Sequence, residues 1–529
     1  MAANGAAGNG AGSGAGNGAG SGAGDGTRRA AGGVAFGSAT GRWTLVATVA
    51  GSGMAFLDGT VVNVALPTIG SELGAGIGGL QWVLNGYLLT LSALILLSGS
   101  LGDRYGRRRV FQIGAVWFAL ASAGCALAVD LPMLIVARIA QGIGAALLTP
   151  GSLAIIEATF RERDRPRAIG AWSGLTGVAT AVGPFLGGWL VDAGSWRVIF
   201  LLNLPLAVAV IVIAGRHVPE SRDPSAAPGV DVAGSVLAAA GLGGLTYALI
   251  GVGERGLASP AVLTAGAVGL VGLAGFAAFE RRSRHPLLPP GIFSSPQFTA
   301  ANLVTAAVYA ALGAVFFLLV IYLQQVLGYS ALQAGAATLP ITALMLALSA
   351  RSGQLAARIG PRAQMSAGPL VMAAGLGLMA RINVDAGYLG TVLPAVTVLG
   401  LGLAVTVAPL TSTALAAAGE RHAGIASGVN NTVARAAQLV AVAVVPFAAG
   451  ITGTVYRTDP QAFVSGFQQA ALITAALAGS GGLLALATIR NPLAGRARPA
   501  PVSPPGHYCA LEAPPLERCP HARVRSPST

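Results

Sequence analysis

Most of this chain consists of long apolar runs separated by short polar connections. Crossing the hydrocarbon core of a bilayer takes about 20 apolar residues of α-helix. Between Trp43 and Ile489 we place fourteen such runs, with approximate limits 43–66, 80–100, 110–129, 131–156, 168–192, 197–215, 231–252, 259–279, 299–325, 332–357, 364–382, 388–418, 423–451 and 466–488. Because the runs are continuously apolar and do not alternate with polar residues, they exclude barrel strands and predict an all-α integral membrane protein with fourteen transmembrane helices.

Composition excludes several classes of function. Of the 529 residues, 10% are charged, whereas a soluble globular domain carries about 25% charged residues. All 32 basic residues are arginine, so the chain lacks the lysine that a P-loop ATPase or a Schiff-base enzyme requires. The histidines and cysteines show no metal-ligand spacing. We therefore expect no metal ion and no cofactor, with the proton gradient as the energy source.

The arginines also predict the topology. Seventeen of them fall in one alternate set of connections and four in the other. Cytoplasmic loops of membrane proteins carry the excess of basic residues. We therefore expect a multi-pass protein of the cytoplasmic membrane with both termini in the cytoplasm. The net charge of +13 is then a consequence of topology, and nucleic acid is not an expected partner.

The two terminal segments differ in composition from the apolar region. Residues 1–40 consist mainly of Gly, Ala, Ser and Asn, and residues 491–529 are rich in Pro, Arg and Ala. Neither composition can bury a core, so we predict two disordered cytoplasmic tails. The first is not a signal peptide, because the apolar run that follows it is too long.

A weak internal repeat divides the apolar region. The pattern G-x-L-x-x-R-x-G-x-R occurs at 99–108, after the second run, and again at 353–362, after the tenth. Duplicated halves of this kind are a transporter architecture. Ala357 stands in the second copy where the first has Asp103, so the two halves have diverged.

Asp58 is an acidic residue inside the first apolar run. A charged side chain at that depth costs about 2.5–3.5 kcal/mol and by default indicates an ion or substrate pathway. Burial favours the neutral form of a carboxyl group, so we interpret Asp58 as a group that binds and releases a proton. The alternative is a structural role, in which Thr60 or Asn63 holds the side chain.

Arg138, in the fourth run, is the predicted partner of Asp58. Counted from the ends of their runs, both residues lie about 10–12 Å below the same membrane face. Movement that separates the two charges would drive proton uptake, and the alternative is a static ion pair that fixes packing. Gln141 lies one turn further along the same helix face, where it can share the network.

Further residues are candidates for a switch and for a substrate cavity. The loop that follows the second run, with Asp103, Arg104, Gly106, Arg107 and Arg108, is either a gate latch or a topology determinant. Arg435 in the thirteenth run either contacts an anionic group of the substrate or is satisfied by Asn430, Asn431 or carbonyls. The candidate cavity residues, some of which have packing as their alternative role, are Asn63, Trp82, Asn85, Tyr87, Gln141 and Arg435.

The fifth run carries a stripe of small residues. Steps of three and four place one member per turn on a single helix face, which allows a neighbouring helix to approach closely. A proline within the stripe adds a point at which the helix can kink. The members are Gly170, Gly174, Gly177, Ala181, Pro184 and Gly188.

Four motifs in the correct order resemble those of the major facilitator superfamily, and specifically its fourteen-span drug:proton antiporters. They are LDxTVVNVALP around Asp58, GxLxDRxGRR at 99–109, RxxQGxGxA within 134–146 and GxxxxxGPxxGG within 177–190. The resemblance covers residues 43–488. It implies an N-terminal six-helix bundle at 43–215, two inserted helices at 231–279 and a C-terminal six-helix bundle at 299–488.

The resemblance also implies roles for particular residues. Asp58 and Arg138 would take part in proton coupling, and the Asp103 loop in conformational switching. The fifth-helix motif is associated with exporters, and its residues Gly177, Gly183, Pro184, Gly187 and Gly188 would support the antiport interconversion.

We therefore expect a transporter and not an enzyme: a monomer in the lipid bilayer that exports amphiphilic drugs or antibiotics in exchange for protons, by alternating access. The alternative on the same fold is a proton-coupled transporter of a specific metabolite or amino acid. A non-transporting membrane sensor or an intramembrane enzyme is a further alternative. The runs offer the enzyme reading no convergent His, Ser or paired carboxylates.

Overall fold

The structure is a computed structural model that describes residues 33–223, 231–283, 286, 288–418 and 423–491. The helices of the N-terminal half are α1 Ala39–Glu72, α2 Ile77–Tyr105, α3 Arg107–Ala126, α4 Leu131–Thr159, α5 Arg165–Ala193, α6 Arg197–Leu201 and α7 Asn203–His217. An inserted pair follows, α8 Val232–Arg255 and α9 Pro260–Arg282. The C-terminal half contains α10 Pro296–Gln325, α11 Ala331–Ala337, α12 Leu339–Ile359, α13 Pro361–Met379, α14 Leu393–Ala417, α15 Ala423–Ala448, α16 Val455–Thr458 and α17 Pro460–Thr488.

All fourteen predicted runs form helices. By length and composition, thirteen helical stretches within the described residues can cross a membrane. The remaining run, 364–382, forms α13, which is 19 residues long and packs against α14 and α17. The sixth and tenth runs are each divided into two helices, at Leu202 and at Thr338. Pro340 explains the second break, because proline cannot donate the backbone hydrogen bond that would continue α11.

The folded chain begins before the predicted boundary. The N–H of Val34 donates to the carbonyl of Thr159 at 2.7 Å, and the N–H of Phe36 donates to the carboxylate of Asp164 at 3.2 Å. The prediction of a disordered tail is therefore wrong for residues 33–40, because the backbone N–H groups of Val34 and Phe36 bond to the end of α4 and to the connection that follows it. The rest of that tail and residues 492–529 of the second predicted tail lie outside the described residues.

The internal repeat is visible in the backbone. Gly106 ends α2 with a φ of 112°, and Gly360 ends α12 with a φ of 87°. Side chains rarely tolerate this region, whereas glycine adopts it freely. Each glycine lets the next helix begin immediately, so the two copies of the sequence pattern form equivalent connections.

The inserted helices α8 and α9 pack together as a hairpin against both halves. The rings of Trp82 on α2 and Tyr247 on α8 lie 6.0 Å apart. Gly253 on α8 lies against Phe447 on α15. The hairpin therefore covers a seam between the N-terminal and C-terminal halves.

The two halves meet at the end of the molecule opposite to the Asp103 loop, which we call the far end. Asp192, at the last turn of α5, accepts hydrogen bonds from the N–H groups of Ala331 and Leu332 at 3.1 and 2.9 Å. Gln81 on α2 donates to the carbonyl of Val442 on α15 at 2.6 Å. These contacts close the space between the halves at this end.

Glycines allow the backbones to touch at the far end. A Cβ at Gly188 would overlap the carbonyl oxygen of Ala331 on α11, and a Cβ at Gly335 would overlap that of Pro184 on α5. Gly183 and Gly187 make similarly close approaches, in their case to α1.

The other half of the small-residue stripe on α5 has no such neighbour. A Cβ at Gly170, Gly174 or Gly177 would meet no atom within 4 Å. The predicted close approach along the whole stripe is therefore wrong for these three glycines. Because they share a face with Gly188, the cleft between α5 and the α11–α12 segment opens towards the Asp103 end.

We expect Gly188→Ala to loosen the far end, because the added methyl group overlaps backbone that cannot turn away. The matched control is Gly177→Ala on the same face, where alanine meets open space and favours the helix by about 1 kcal/mol. Spin labels on the exposed residues Ser71 and Gln333 measure the separation of the halves there. The distance should increase in Gly188→Ala alone, and equal distances in the two variants would contradict this account of the closure.

Candidate functional site

Asp58 is buried in α1 and accepts hydrogen bonds from three side chains. Its Oδ2 accepts from Nη1 of Arg138 at 2.5 Å. Its Oδ1 accepts from Nε2 of Gln141 at 2.8 Å and from Nδ2 of Asn203 at 2.9 Å. The side chains of Asp58 and Arg138 are 1% and 0% exposed. The predicted pairing of these two residues, with Gln141 in the same network, is confirmed.

Arg138, on α4, is held from several sides. Its Nε donates to the carbonyl of Val83 at 3.0 Å, and its Nη1 donates also to Oε1 of Gln141 at 2.5 Å. The guanidinium carbon lies 4.4 Å from the centre of the Tyr87 ring, within the range of a cation–π interaction. The hydroxyl of Tyr87 in turn donates to the carbonyl of Ala55 on α1 at 2.8 Å. Tyr87 therefore connects Arg138 to the helix that carries Asp58.

Two members of the network were not predicted from the sequence. Oγ of Ser122 accepts from Gln141 at 2.7 Å and from Asn203 at 3.2 Å. Asn203 begins α7 at the break in the sixth run, and a polar side chain inside an apolar run is a signal that could have identified it. Ser122 gave no comparable signal, because serine is common at helix contacts in membranes.

The network is satisfied for an ionised Asp58 but leaves two buried polar atoms over. Nη2 of Arg138 and Oδ1 of Asn203 have no hydrogen-bond partner. Removing one partner of a buried ion pair costs about 3–5 kcal/mol, because the other charge stays buried without compensation. The spare Asn203 oxygen is an acceptor beside a carboxylate that has donors on both oxygens.

Thr60 and Asn63 do not hold Asp58. The hydroxyl of Thr60 donates to the carbonyl of Leu57 at 2.9 Å, and the side-chain amide of Asn63 donates to the carbonyl of Gly59 at 3.2 Å. The alternative in which these residues satisfy the carboxylate is therefore wrong.

They belong instead to a part of α1 that is open to its surroundings. Between positions 51 and 67, α1 is buried except at Phe56, Gly59, Thr60 and Asn63, which are half-buried. Their spacing of three, one and three residues places them on one helix face. We call these four residues the accessible face of α1. It lies between the halves, where a substrate cavity would be.

The structure separates the six candidate cavity residues. Asn63 lies on the accessible face, and Arg435 on α15 is half-buried close to it. Trp82 is half-buried against the inserted hairpin. The remaining three are buried and do not line open space in this conformation, which corrects the prediction for them: they are Asn85, Tyr87 and Gln141. Asn85 instead donates to the carbonyl of Leu439 on α15 at 3.3 Å, and the other two belong to the Arg138 network.

Arg435 has few partners. Its Nη1 donates to Oε1 of Gln438 at 3.4 Å, and its guanidinium carbon lies 5.5 Å from the centre of the Phe56 ring. The amide of Asn430 donates to Asn302 and Thr305, and that of Asn431 donates to the carbonyl of Ser427. The alternative in which Asn430 or Asn431 satisfies Arg435 is therefore wrong.

The Asp103 loop forms its ion pair internally. The carboxylate accepts from Nη2 of Arg107 at 2.8 Å and from Nε at 2.9 Å. Glu220, which follows α7, accepts from the N–H groups of Arg108 and Arg109 at 3.0 and 3.2 Å. A carboxylate is favourable at a helix N-terminus, and this contact was not predicted. The latch role of the loop stays a prediction.

Comparison with known proteins decides the family. The sequence profile of the Major Facilitator Superfamily matches residues 48–442. The chain belongs to the Major Facilitator Superfamily. Its fold agrees: a bacterial homolog of the human lysosomal transporter Spinster, solved in an inward-facing and unoccupied conformation, superposes with a TM-score of 0.58 at 16% identity, over 85% of this chain and 97% of that one.

Two relatives within this superfamily are similar over most of their length. The methylenomycin A resistance protein of Bacillus subtilis is 34% identical over 435 residues, which is 81% of this chain and 91% of that protein. The tetracenomycin C resistance and export protein of Streptomyces glaucescens is 33% identical over 390 residues, which is 74% of this chain and 72% of that protein.

In this major facilitator protein, we expect Arg138→Met to be much more destabilising than the double variant Asp58→Leu/Arg138→Met. The single change leaves a buried carboxylate without its counter-charge, at a cost of about 3–5 kcal/mol. The double change leaves neither member of the Asp58–Arg138 pair. Thermal unfolding of the detergent-solubilised variants measures the difference. If the double variant is no more stable than Arg138→Met, the uncompensated charge of Asp58 is not the cause of the destabilisation.

Proposed function

We propose that this protein exports amphiphilic drugs or antibiotics across the cytoplasmic membrane in exchange for protons, by alternating access. The observation that carries the proposal is a buried, hydrogen-bonded Asp58–Arg138 pair, whose carboxylate lies on the helix that also carries the accessible face of α1. The relatives named for methylenomycin A resistance and for tetracenomycin C resistance and export support a drug as the substrate and export as the direction.

The arginine distribution supports the orientation. The connections on the side of the Asp103 loop carry most of the arginines, so this end belongs in the cytoplasm. The open space beside Gly170, Gly174 and Gly177 then lies towards the cytoplasm, and the far end is closed. This is the conformation in which an exporter takes up its substrate.

Protonation of Asp58 would change the network in a definite way. An ionised carboxylate only accepts hydrogen bonds, whereas a neutral carboxyl group also donates one. Oδ1 of Asn203 is the acceptor without a partner, and rotation of this amide would present it to the new O–H group. Arg138 would lose its counter-charge on α1 and would keep its contacts with Val83, Gln141 and Tyr87.

α1, which carries Asp58, is connected to the far-end closure through α5. Gly183 and Gly187 on α5 lie directly against Thr60 and Val61 of α1, and Gly188 lies against α11 in the other half. A shift of α1 therefore acts on the helix whose last turns join the two halves. A change in the protonation of Asp58 would in this way act on the far-end closure: for exchange, the carboxyl group takes up its proton while the far end is open and releases it to the cytoplasm after the far end has closed.

Accumulation of fluorescent amphiphiles in inverted membrane vesicles tests the proposal, with cationic, neutral and acidic dyes in the panel. We expect the wild type to accumulate at least one dye, and a protonophore to abolish the accumulation. Asp58→Asn should reduce it at least tenfold, because the amide cannot exchange a proton at this position. The matched control is Asp130→Asn, since asparagine replaces aspartate well at the start of a helix.

Each outcome has a defined meaning. Accumulation in Asp58→Asn equal to that in the control would overturn the assignment of Asp58 to proton coupling. No accumulation of any dye, with the protein confirmed in the membrane, would contradict drug export and favour a specific metabolite as the substrate.

A further inference from the structure

We propose that Arg435 binds the acidic group of the substrate, and that the substrates of this protein are therefore amphiphilic acids with a carboxylate or an ionised phenol. The proposal rests on the proposed export function and specifies its substrate class. Arg435 would bind only the acidic group, and the apolar remainder of the substrate would contact the accessible face of α1.

Arg435 lies close to the middle of α15 without an ionic partner. It is half-buried, and it contacts Gln438 through a long hydrogen bond and the ring of Phe56. Arg107, Arg108, Arg138 and Arg197 each form an ion pair, whereas no carboxylate among the described residues lies within salt-bridge distance of Arg435. A cation at this depth is costly and by default indicates a function.

The second arginine at this depth provides a comparison. Arg138 is fully buried, has a carboxylate, a carbonyl and an amide oxygen as acceptors, and stacks on an aromatic ring. Its charge is compensated by the protein itself. Arg435 keeps donor groups free, and arginine presents these donors in a planar fork that matches a carboxylate.

The surroundings of Arg435 carry no compensating negative charge. Asp58 is buried, and its two carboxylate oxygens accept hydrogen bonds from three side chains, all of which belong to the N-terminal half. The other acidic residues in the described part of the chain lie in connections or near helix ends. With Asp58 and Arg138 neutralising each other, the space between the halves has the charge of Arg435, which favours anions and disfavours cations.

Aromatic and small residues around Arg435 suit the apolar part of such a molecule. Phe56 lies beside the guanidinium group, with its ring centre 5.5 Å from the guanidinium carbon. On α10, Gly313 packs directly against Gln438, the hydrogen-bond partner of Arg435, and the half-buried Tyr309 lies one turn before it. An apolar lining with a single charged group is the usual composition of a small-molecule site, in which the charge sets the orientation.

Binding to the full-length protein in nanodiscs tests the proposal, with an aromatic carboxylic acid and its methyl ester as matched fluorescent probes. The wild type should bind the acid at least tenfold more tightly than the ester. Arg435→Gln should remove that preference, and Arg435→Lys should retain part of it because the charge remains. The control for the change in net charge is Arg351→Gln, which removes an exposed arginine of α12.

The outcomes separate this inference from the proposed function. Equal binding of acid and ester by the wild type, or an acid preference that survives Arg435→Gln, overturns the assignment of Arg435. Vesicle accumulation of cationic dyes that is unchanged in Arg435→Gln would overturn the acid class while leaving export intact. Acid binding that depends on Arg435, without accumulation of any acid in vesicles, would support the site and contradict the export function. Thermal unfolding of Arg435→Gln verifies that the variant is folded.

Discussion

A carboxylate inside a membrane has to be surrounded by hydrogen-bond donors, and the N-terminal half is arranged to meet this requirement for Asp58. α4 contributes Arg138 and Gln141, and the break between α6 and α7 places Asn203 at a helix start, where its amide reaches the carboxylate. The Asp58 side chain thus links α1 directly to α4 and α7. Breaking any of these contacts leaves an unpaired polar group in an environment without water.

The contact between the halves is of a different kind. There is no hydrophobic force between helices in lipid, so their association depends on close packing and on hydrogen bonds. At the far end the packing is provided by Gly188 and Gly335, which let backbones touch, and the hydrogen bonds by Asp192 and Gln81. One buried apolar cluster also runs from Leu57 and Leu66 in the N-terminal half to Phe317 and Tyr322 in the C-terminal half, so the two halves share side-chain packing as well.

The sequence predicted those features that follow from one helix or from equal depth in the membrane. Asp58 and Arg138 were paired because a charge in an apolar run is rare, and depth leaves few partners. The sequence did not predict which part of the α5 stripe contacts the other half. Gly177 and Gly188 lie on the same helix face, and only the relative position of the two halves determines which of them is in contact. Tyr87 was placed in the cavity for a similar reason: its polarity shows that it needs a partner, but whether that partner is substrate or Ala55 depends on tertiary packing.

The charge of the substrate decides how the membrane potential acts on the proposed exchange. A cation that leaves against one entering proton moves no net charge, so the potential contributes nothing. An anion that leaves against one entering proton moves two charges inward, and each contributes about 2.3 kcal/mol per 100 mV. An exporter that loads its substrate at Arg435 would therefore gain from the potential on both limbs of the exchange. It could expel an acid even where the pH gradient is small, provided that Asp58 still takes up its proton from the far side.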